Sequence, residues 1–231
     1  MKALFTFGRF QPPTVGHKVL IDFIAETAAA QGADPYVFVS STQNKSRTAK
    51  PIFESTKANE NPLSVYDKVK YLNKMYPDTP VKIINTTESE CTTIFQIVDK
   101  LRSNGYTEIT MAVGSDRVES FQKILSRVGV NIIPAGVPRT VNANSSNVKA
   151  MSGTKMRIAA VSGNIEKFKE GVLIGSMTEA DALDLLNLVR QGLGYDVLYQ
   201  GGALRNRTQR RIKIKRHRKS RRYVLRLEER T

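Results

Sequence analysis

A glycine-bearing turn between a predicted strand and a predicted helix constrains the fold of this chain more than any other segment. The apolar run at residues 3–7 predicts a first β-strand, and the amphipathic run at residues 16–30 predicts a helix. The turn between them has the sequence Gly8-Arg9-Phe10-Gln11-Pro12-Pro13-Thr14-Val15-Gly16-His17. Because unpaired amides and the helix dipole attract anions at a helix N-terminus, this turn is a predicted phosphate site.

Strands and helices alternate after this opening. Four more strands are predicted, at residues 36–41, 81–85, 108–113 and 130–134. Helices are predicted between and after them, at residues 64–75, 92–104, 115–127, 154–161, 164–171 and 178–191. This alternation predicts crossover connections, and hence an α/β fold with a doubly wound five-stranded parallel sheet and C-terminal helices. Such sheets bind ligands beyond the carboxyl ends of their strands.

The chain divides into three parts by composition and pattern. The predicted domain occupies residues 1–175, a helix with a glycine-rich linker follows at residues 176–202, and a basic extension occupies residues 203–231. Within the domain, residues 42–62 and 137–150 are polar and lack periodicity, which predicts two long loops. The second of these loops leads directly into the segment that begins at Ser152.

The basic extension carries most of the charge of the chain. The whole chain has a formal charge of +15, and residues 205–231 contain thirteen Lys or Arg and two Glu. Their net charge of +11 leaves +4 for residues 1–204. So dense a cluster of cations can bind a phosphate backbone without sequence choice, through counterion release. Three interpretations stay open: contact with nucleic acid or an acidic protein surface, a solubilising tail, or an element of the fold.

Composition excludes several classes of protein. Cys91 is the single cysteine and there are two histidines, so a disulfide framework is excluded and a zinc site is not expected. No run of about 18 apolar residues is present, so neither a transmembrane helix nor a membrane partner is expected. The first residues also lack the basic and apolar pattern of a secretion signal. An oligomer is left open.

Two motifs resemble a known family. The opening turn resembles the signature that the nucleotidyltransferase (cytidylyltransferase-like) superfamily carries after its first strand, and Gly8-Arg9-Phe10-Gln11-Pro12 is most similar to nicotinamide-mononucleotide adenylyltransferases. The segment Ser152-Gly153-Thr154-Lys155-Met156-Arg157 resembles the second signature, Ile-Ser-Ser-Thr-x-x-Arg, with Gly153 in place of a serine and Met151 in place of the isoleucine. The resemblance covers about residues 1–175 and implies a Rossmann-like fold. The chain also resembles bacteriophage-encoded members of the superfamily. This resemblance implies a location in the cytoplasm of a bacterium or of an infected host cell.

The resemblance implies transfer of a nucleoside monophosphate, with AMP favoured, from an NTP to a phosphorylated small molecule with release of pyrophosphate. Charge builds on the phosphate oxygens during this transfer, so positioned donors accelerate it. The implied catalytic residues are His17, Thr14 and Arg157. The implied nucleotide-binding residues are Gly8, Arg9, Phe10, Gly16, His17, Ser152, Gly153, Thr154 and Arg157. The expected cofactor is Mg²⁺, bound mainly through the NTP.

Residues after the fourth predicted strand are candidates for holding the acceptor. Gly114 and Asp116 resemble a Gly-x-Asp element of adenylyltransferases, and Arg117 and Arg139 could bind the phosphate of the acceptor. The alternatives are that Ser115 or Asp116 only caps a helix and that Arg139 is only solvated. Similar alternatives apply elsewhere: His17 and Ser152 could be simple helix caps, and Phe10 could be a packing residue.

A binding function is the alternative to catalysis. In that interpretation the nucleotidyltransferase fold docks through its basic extension onto nucleic acid or a large assembly. The retained His17 and Arg157 favour activity, whereas the extension favours assembly.

Deletion of the residues after Gly202 is expected to leave NTP binding intact and to abolish retention on nucleic acid, because the cations of the extension lie outside the predicted domain. Equilibrium dialysis with a labelled NTP and binding to nucleic acid at rising salt would measure the two effects. Loss of NTP binding in the truncated chain would show instead that the extension is part of the fold.

Overall fold

The fold was taken from a computed structural model, in which residues 1–47, 60–135 and 151–198 are described. Five strands lie in these residues: β1 (Lys2–Gly8), β2 (Ala33–Val39), β3 (Lys82–Asn85), β4 (Glu108–Val113) and β5 (Asn131–Pro134). Seven α-helices accompany them: α1 (Lys18–Gln31), α2 (Val65–Met75), α3 (Ile94–Ser103), α4 (Val118–Leu125), α5 (Gly153–Ser162), α6 (Ile165–Val172) and α7 (Glu179–Gly192). Single 3₁₀ turns precede α1 and α4. The predicted segments at residues 137–150 and 203–231 lie outside the described residues.

The five strands form one parallel sheet in the order β3-β2-β1-β4-β5. The central strand β1 is buried on both faces, because Leu4 packs in one hydrophobic cluster and Phe5 in the other. The chain winds from β1 through β2 to β3 on one side and then returns to β4 and β5 on the other. This confirms the predicted Rossmann-like α/β fold. The reversal beside β1 also marks the place where such sheets bind ligands, at the carboxyl ends of β1 and its neighbours.

Strand β2 begins three residues earlier than the sequence pattern predicts. Gly32, with φ of +61°, ends α1, and Ala33 at once pairs with Lys2 of β1. Asp34 and Pro35 are unusual in strands, so the pattern missed this half of β2. Proline is tolerated here because β3 pairs with β2 only from Tyr36 onward, which leaves one edge of the early residues unpaired.

The predicted helix at residues 115–127 is divided in the structure. A 3₁₀ turn at Ser115–Arg117 precedes α4, and a second 3₁₀ turn at Ser126–Val128 follows it. Gly129, with φ of +62°, ends this second turn and leads the chain into β5. The periodicity therefore located the helical segment but not the two tighter turns that bound it.

Helix α7 belongs to the same compact unit as the sheet. Its side chains Leu185, Leu186 and Val189 are fully buried in the hydrophobic cluster that also holds residues of β1 and α5. The compact unit extends from Met1 to Asp196, whereas the sequence pattern placed the end of the domain at residue 175. The helices α5, α6 and α7 pack on one another. A second unit, Val197–Thr231, lies almost entirely outside the described residues. In the parts of the chain that the structure describes, no helix has the length and apolar character needed to cross a membrane.

An ion pair joins α7 to α2. The Lys74 ammonium lies 2.5 Å from Oδ1 of Asp181. Oδ2 of Asp181 accepts hydrogen bonds from the backbone N–H and the hydroxyl of Thr178, which caps α7. These bonds, first of all the one from Lys74, lower the pKa of Asp181 to about 2. The carboxylate thus stabilises the fold in its ionised form.

The substitution Asp181→Asn is expected to lower the free energy of unfolding at pH 7 by about 2 kcal/mol, the scale of a carboxyl pKa depressed by one to two units. Because the folded pKa lies below the ordinary value of 3.8, this contribution is present above about pH 4 and is lost as the pH falls toward 2. Urea unfolding of both proteins at several pH values would measure it. Asp184→Asn, on the exposed side of the same helix, is the control. A difference that stays the same at pH 2.5 would contradict this account.

Candidate active site

The two motifs meet at the carbonyl of Met151. The hydroxyl of Thr14, which is fully buried, donates a hydrogen bond of 2.8 Å to this oxygen across 137 positions of sequence. The same oxygen lies 2.4 Å from the place where a Cβ of residue 16 would stand, so only glycine fits there. The Thr-x-Gly-His pattern thus has a packing cause: the threonine binds this carbonyl and the glycine makes room for it.

A second contact joins the motifs at the carbonyl of Gln11. Nη1 of Arg157 donates to this oxygen at 2.6 Å, and Nη2 donates to the hydroxyl of Thr154 at 3.2 Å. A Cβ on Gly153 would stand 2.7 Å from the same Gln11 oxygen. Glycine in place of the usual serine therefore allows the start of α5 to lie close to the turn that carries Gln11. Arg157 is 4% exposed, so in this structure its guanidinium lies behind the loop and supports it.

His17 is held in one orientation by its neighbours. The backbone N–H of Thr14 donates to Nδ1 of His17 at 3.0 Å. Since a backbone N–H can only donate, Nδ1 is the acceptor, and the neutral imidazole carries its hydrogen on Nε2. The ring of the buried Phe10 packs against the imidazole, with 4.8 Å between ring centroids. Phe10 in turn lies over Gly8, where a Cβ would stand 2.6 Å from its ring. Phe10 thus packs against His17 and helps to orient it.

The side chain of Gln11 holds the loops at the carboxyl end of β2. Its Oε1 accepts from the N–H of Leu63 at 2.9 Å, and its Nε2 donates to the carbonyls of Leu63 and Thr42 at 2.9 and 3.3 Å. A buried amide so fully paired fixes the turn relative to Thr42 and Leu63. Sequence analysis quoted Gln11 within the motif but assigned it no role. Its function depends on partners 31 and 52 positions away, which no local pattern reveals.

The N-terminus of α5 has the geometry that favours an anion. Ser152 caps the helix and accepts the N–H of Lys155 at 3.3 Å. The amides of Gly153 and Thr154 donate to no atom of the described residues. Since Gly153 lies against Gln11 and the preceding carbonyl of Met151 lies against Gly16, these amides are near the turn that carries His17. The dipole of the helix favours a phosphate at this end.

Three cations surround the turn that follows β1. Arg9 lies on the turn, Arg157 lies behind it, and Lys68 of α2 donates to the carbonyl of Ser40 at the end of β2. Burial and the like charge of Arg9 lower the pKa of Lys68 to about 8. The same two causes lower the pKa of Arg157 to about 10, although the buried Glu60 acts in the opposite direction. Among the described residues, these three cations lie near one carboxylate, that of Glu60, and this balance favours a polyanionic ligand.

Sequence analysis missed Lys68. Lysine in the first turn of an amphipathic helix is ordinarily solvated, and its position in the sequence carries no sign of burial. The side chain is nevertheless fully buried in the structure.

The candidate acceptor residues lie at the carboxyl end of β4, beside β1. The carbonyl of Gly114 accepts the N–H of Arg117 at 2.9 Å. Asp116 and Arg117 are exposed, and Oδ2 of Asp116 lies 3.9 Å from Nε of Arg117. Neither Ser115 nor Asp116 caps the helical segment with its side chain, so the capping alternative is wrong. Arg139 lies outside the described residues. The structure thus places three of the four candidates at the carboxyl end of the sheet, where such folds bind ligands.

Within the described residues, no group of three or more His, Cys, Asp or Glu side chains lies together as a metal site would require. The doubly wound sheet, with a helix N-terminus beside the turn that follows its first strand, is typical of nucleotide-binding α/β proteins. The cytidylyltransferase-like family matches residues 5–159, well over half of the chain. The chain belongs to this family, and so to the nucleotidyltransferases.

One solved structure supports the same fold. It is a Vibrio parahaemolyticus protein provisionally described as a nicotinate-nucleotide adenylyltransferase, and it is similar to this chain with a TM-score of 0.51 and 16% sequence identity. The similarity covers 80% of this chain and 99% of the other. At this identity it shows a shared architecture. A search of curated proteins gave no match.

The close approaches at Gly16 and Gly153 predict that alanine is tolerated at neither position. Gly16→Ala and Gly153→Ala are each expected to lower the free energy of unfolding by about 1–3 kcal/mol, because the added methyl group meets a backbone carbonyl that cannot move independently. Urea unfolding measures the loss.

Gly114→Ala is the matched control, since the new methyl group would meet only the carboxylate of Asp116, a movable side chain. Serine at position 153, which would restore the usual family residue, is expected to destabilise this chain as alanine does. A stabilising effect of Gly153→Ser would contradict the packing explanation.

Proposed function

We propose that this protein transfers the nucleoside monophosphate of an NTP, with ATP favoured, to a phosphorylated small molecule. A phosphate oxygen of the acceptor attacks the α-phosphorus of the NTP. The bond from the α-phosphorus to the oxygen that bridges to the β-phosphorus breaks, and pyrophosphate leaves with that electron pair. The attacking phosphate is already ionised at neutral pH, so the protein has to supply alignment and charge stabilisation rather than a strong base.

The observation that carries this proposal is the contact between the two motifs at the carbonyl of Met151. Through Thr14 and Gly16 it brings the turn that bears His17 to the first turn of α5. His17 would donate from Nε2 to an oxygen of the α-phosphate, where charge develops. The amides of Gly153 and Thr154 would hold the β- and γ-phosphates at the helix N-terminus. Thr14 would act by orienting His17 rather than by touching the nucleotide, because it is fully buried.

The surrounding cations would balance the charge of the triphosphate. Arg9 is half-buried on the turn itself, and Arg157 adds positive charge from behind the loop while its hydrogen bonds hold Gln11 and Thr154. Mg²⁺ would arrive with the NTP as part of the substrate, since magnesium in such sites keeps few protein ligands. Gly114, Asp116, Arg117 and Arg139 are proposed to hold the acceptor.

A pyridine-nucleotide monophosphate is the proposed acceptor. Two observations support it: the opening Gly8-Arg9-Phe10-Gln11-Pro12 resembles nicotinamide-mononucleotide adenylyltransferases, and the Vibrio protein of the same fold is described as acting on nicotinate nucleotide. The same opening supports adenylyl over cytidylyl transfer.

A second candidate function rests on the charge of +11 at residues 205–231. Through this extension the protein would bind nucleic acid or an acidic assembly. Both functions are compatible in one chain, since the extension follows the compact unit that carries the site.

The proposed reaction is tested by pyrophosphate release from ATP or CTP with a panel of phosphorylated acceptors that includes nicotinamide and nicotinate mononucleotides. Release that needs both substrates, with the adenylylated product found by mass spectrometry, is the expected result. No turnover with any pair, together with salt-sensitive binding of nucleic acid, would favour the second candidate.

The substitution His17→Ala is expected to lower turnover by about a hundredfold or more, the scale for loss of one preorganised transition-state donor. Lys18→Ala is the control, because Lys18 is exposed and its ammonium pairs with Asp22 on the helix surface. A purified, folded His17→Ala protein with a near-normal rate would remove His17 from the mechanism.

A further inference from the structure

Lys68 is a buried cation that the proposed chemistry does not use. Its side chain is fully buried, and its ammonium donates one hydrogen bond, to the carbonyl of Ser40. No other hydrogen bond and no ion pair joins this ammonium to the described residues. A buried charge with so few partners is unfavourable unless a ligand or a neighbouring charge compensates it.

The position of Lys68 places it beside the proposed triphosphate site. The N–H of Ser40 donates to the carbonyl of Gly8 at 2.9 Å, and Arg9 follows directly in the chain. Lys68 therefore lies at the carboxyl ends of β1 and β2, and the positive charge of Arg9 lowers its pKa there. An anion bound at Arg9 would remove this repulsion.

The other charged groups near this helix act elsewhere. On α2 itself, Oδ2 of Asp67 accepts the hydroxyl of the capping residue Ser64 at 2.6 Å, and Lys70 is exposed. The field of Glu60 acts on Arg157. Asp181 and Asp184 of α7 act on the buried phenol of Tyr71. Of the charged groups that the structure describes, Arg9 is the one that lowers the pKa of Lys68.

We propose that Lys68 is a positioning residue that couples the binding of an anion at Arg9 to the uptake of a proton by the protein. This inference rests on the proposed function, which places the phosphates of the NTP beside Arg9. In the free protein Lys68 binds its proton weakly, since burial and the positive charge of Arg9 lower its pKa to about 8. Neutralising Arg9 raises the affinity of Lys68 for its proton. By linkage, protonated Lys68 raises the affinity for the nucleotide by the same factor.

The sign of the pH dependence follows from this linkage. Below about pH 7 Lys68 is protonated in both the free and the bound protein, and no proton moves. Near pH 8.5 the free protein has lost much of this proton and the complex regains it. For a coupling of about tenfold, uptake at pH 8.5 is about half a proton, and the Kd for the nucleotide rises about fivefold to tenfold between pH 7 and pH 9.5.

Calorimetric titration of the full-length protein with ATP and Mg²⁺, in two buffers of different ionisation enthalpy, measures the protons taken up. ATP is suitable because the last ionisation of a phosphate lies at about pH 6, so the nucleotide itself is fully ionised at pH 8.5. The wild-type protein is expected to take up a fraction of a proton at pH 8.5. The contribution of other groups cancels when variants are compared.

Lys68→Arg keeps the charge at every pH, and Lys68→Met removes it with little change of volume. Both are expected to abolish this uptake and to flatten the pH dependence of the Kd, with weaker binding at pH 7 in Lys68→Met alone. Lys70→Met, two residues along the same helix, is the matched control and should behave as the wild type. Circular dichroism and thermal melting establish that each variant is folded.

ATP binding with the same proton uptake in wild type, Lys68→Arg and Lys68→Met would overturn the role of Lys68 and leave the proposed function standing. Loss of stability without a change in proton uptake would show that Lys68 is merely structural, which also overturns the proposal. No binding of ATP, CTP or pyrophosphate to the wild type would overturn this inference and the proposed function together.

Discussion

The carbonyl oxygen of Met151 is the point on which the candidate site depends. It lies in the chain just before the helix whose N-terminus is the proposed anion site, and it accepts a hydrogen bond from the threonine that orients the histidine. A buried carbonyl without a hydrogen-bond partner would be costly. The hydroxyl of Thr14 supplies the hydrogen bond, and the absence of a side chain at Gly16 leaves the carbonyl room to lie there. One hydrogen bond thereby sets the separation between a ring nitrogen and a helix terminus that come from distant parts of the chain.

A second set of contacts keeps the turn after β1 rigid. The backbone carbonyl of Gln11 accepts a hydrogen bond from Arg157. The side-chain amide of Gln11 donates to the carbonyls of Leu63 and Thr42. These hydrogen bonds hold the turn in one conformation before a ligand binds. Such preorganisation favours catalysis, because donors already in place need not reorganise as charge develops.

The C-terminal helices support the site from outside. The N–H of Ser46 donates to the carbonyl of Gly192 at 2.8 Å, and Pro62 lies so close to Gly192 that a Cβ there would stand 2.3 Å from its carbonyl oxygen. The end of α7 thus contacts both Ser46 and Pro62. This explains why α7, which looked from its position in the sequence like an appendage, shares the core of the domain.

Local sequence alone determined the order of the elements and the nature of the two motifs. Strand β4 was predicted at its observed bounds, and the alternation of strands and helices predicted the doubly wound parallel sheet. His17 and Ser152 were predicted at helix starts, because turn residues and apolar periodicity are local properties.

Periodicity reports which face of an element is buried, but it does not report which atom that face will meet. Only the tertiary structure, therefore, decided that Gly16 and Gly153 face backbone carbonyls, that Phe10 is buried against His17, that Gln11 is hydrogen-bonded to Thr42 and Leu63, and that Lys68 is buried. Each of these depends on contacts across tens to more than a hundred positions of sequence, and no local pattern encodes such contacts.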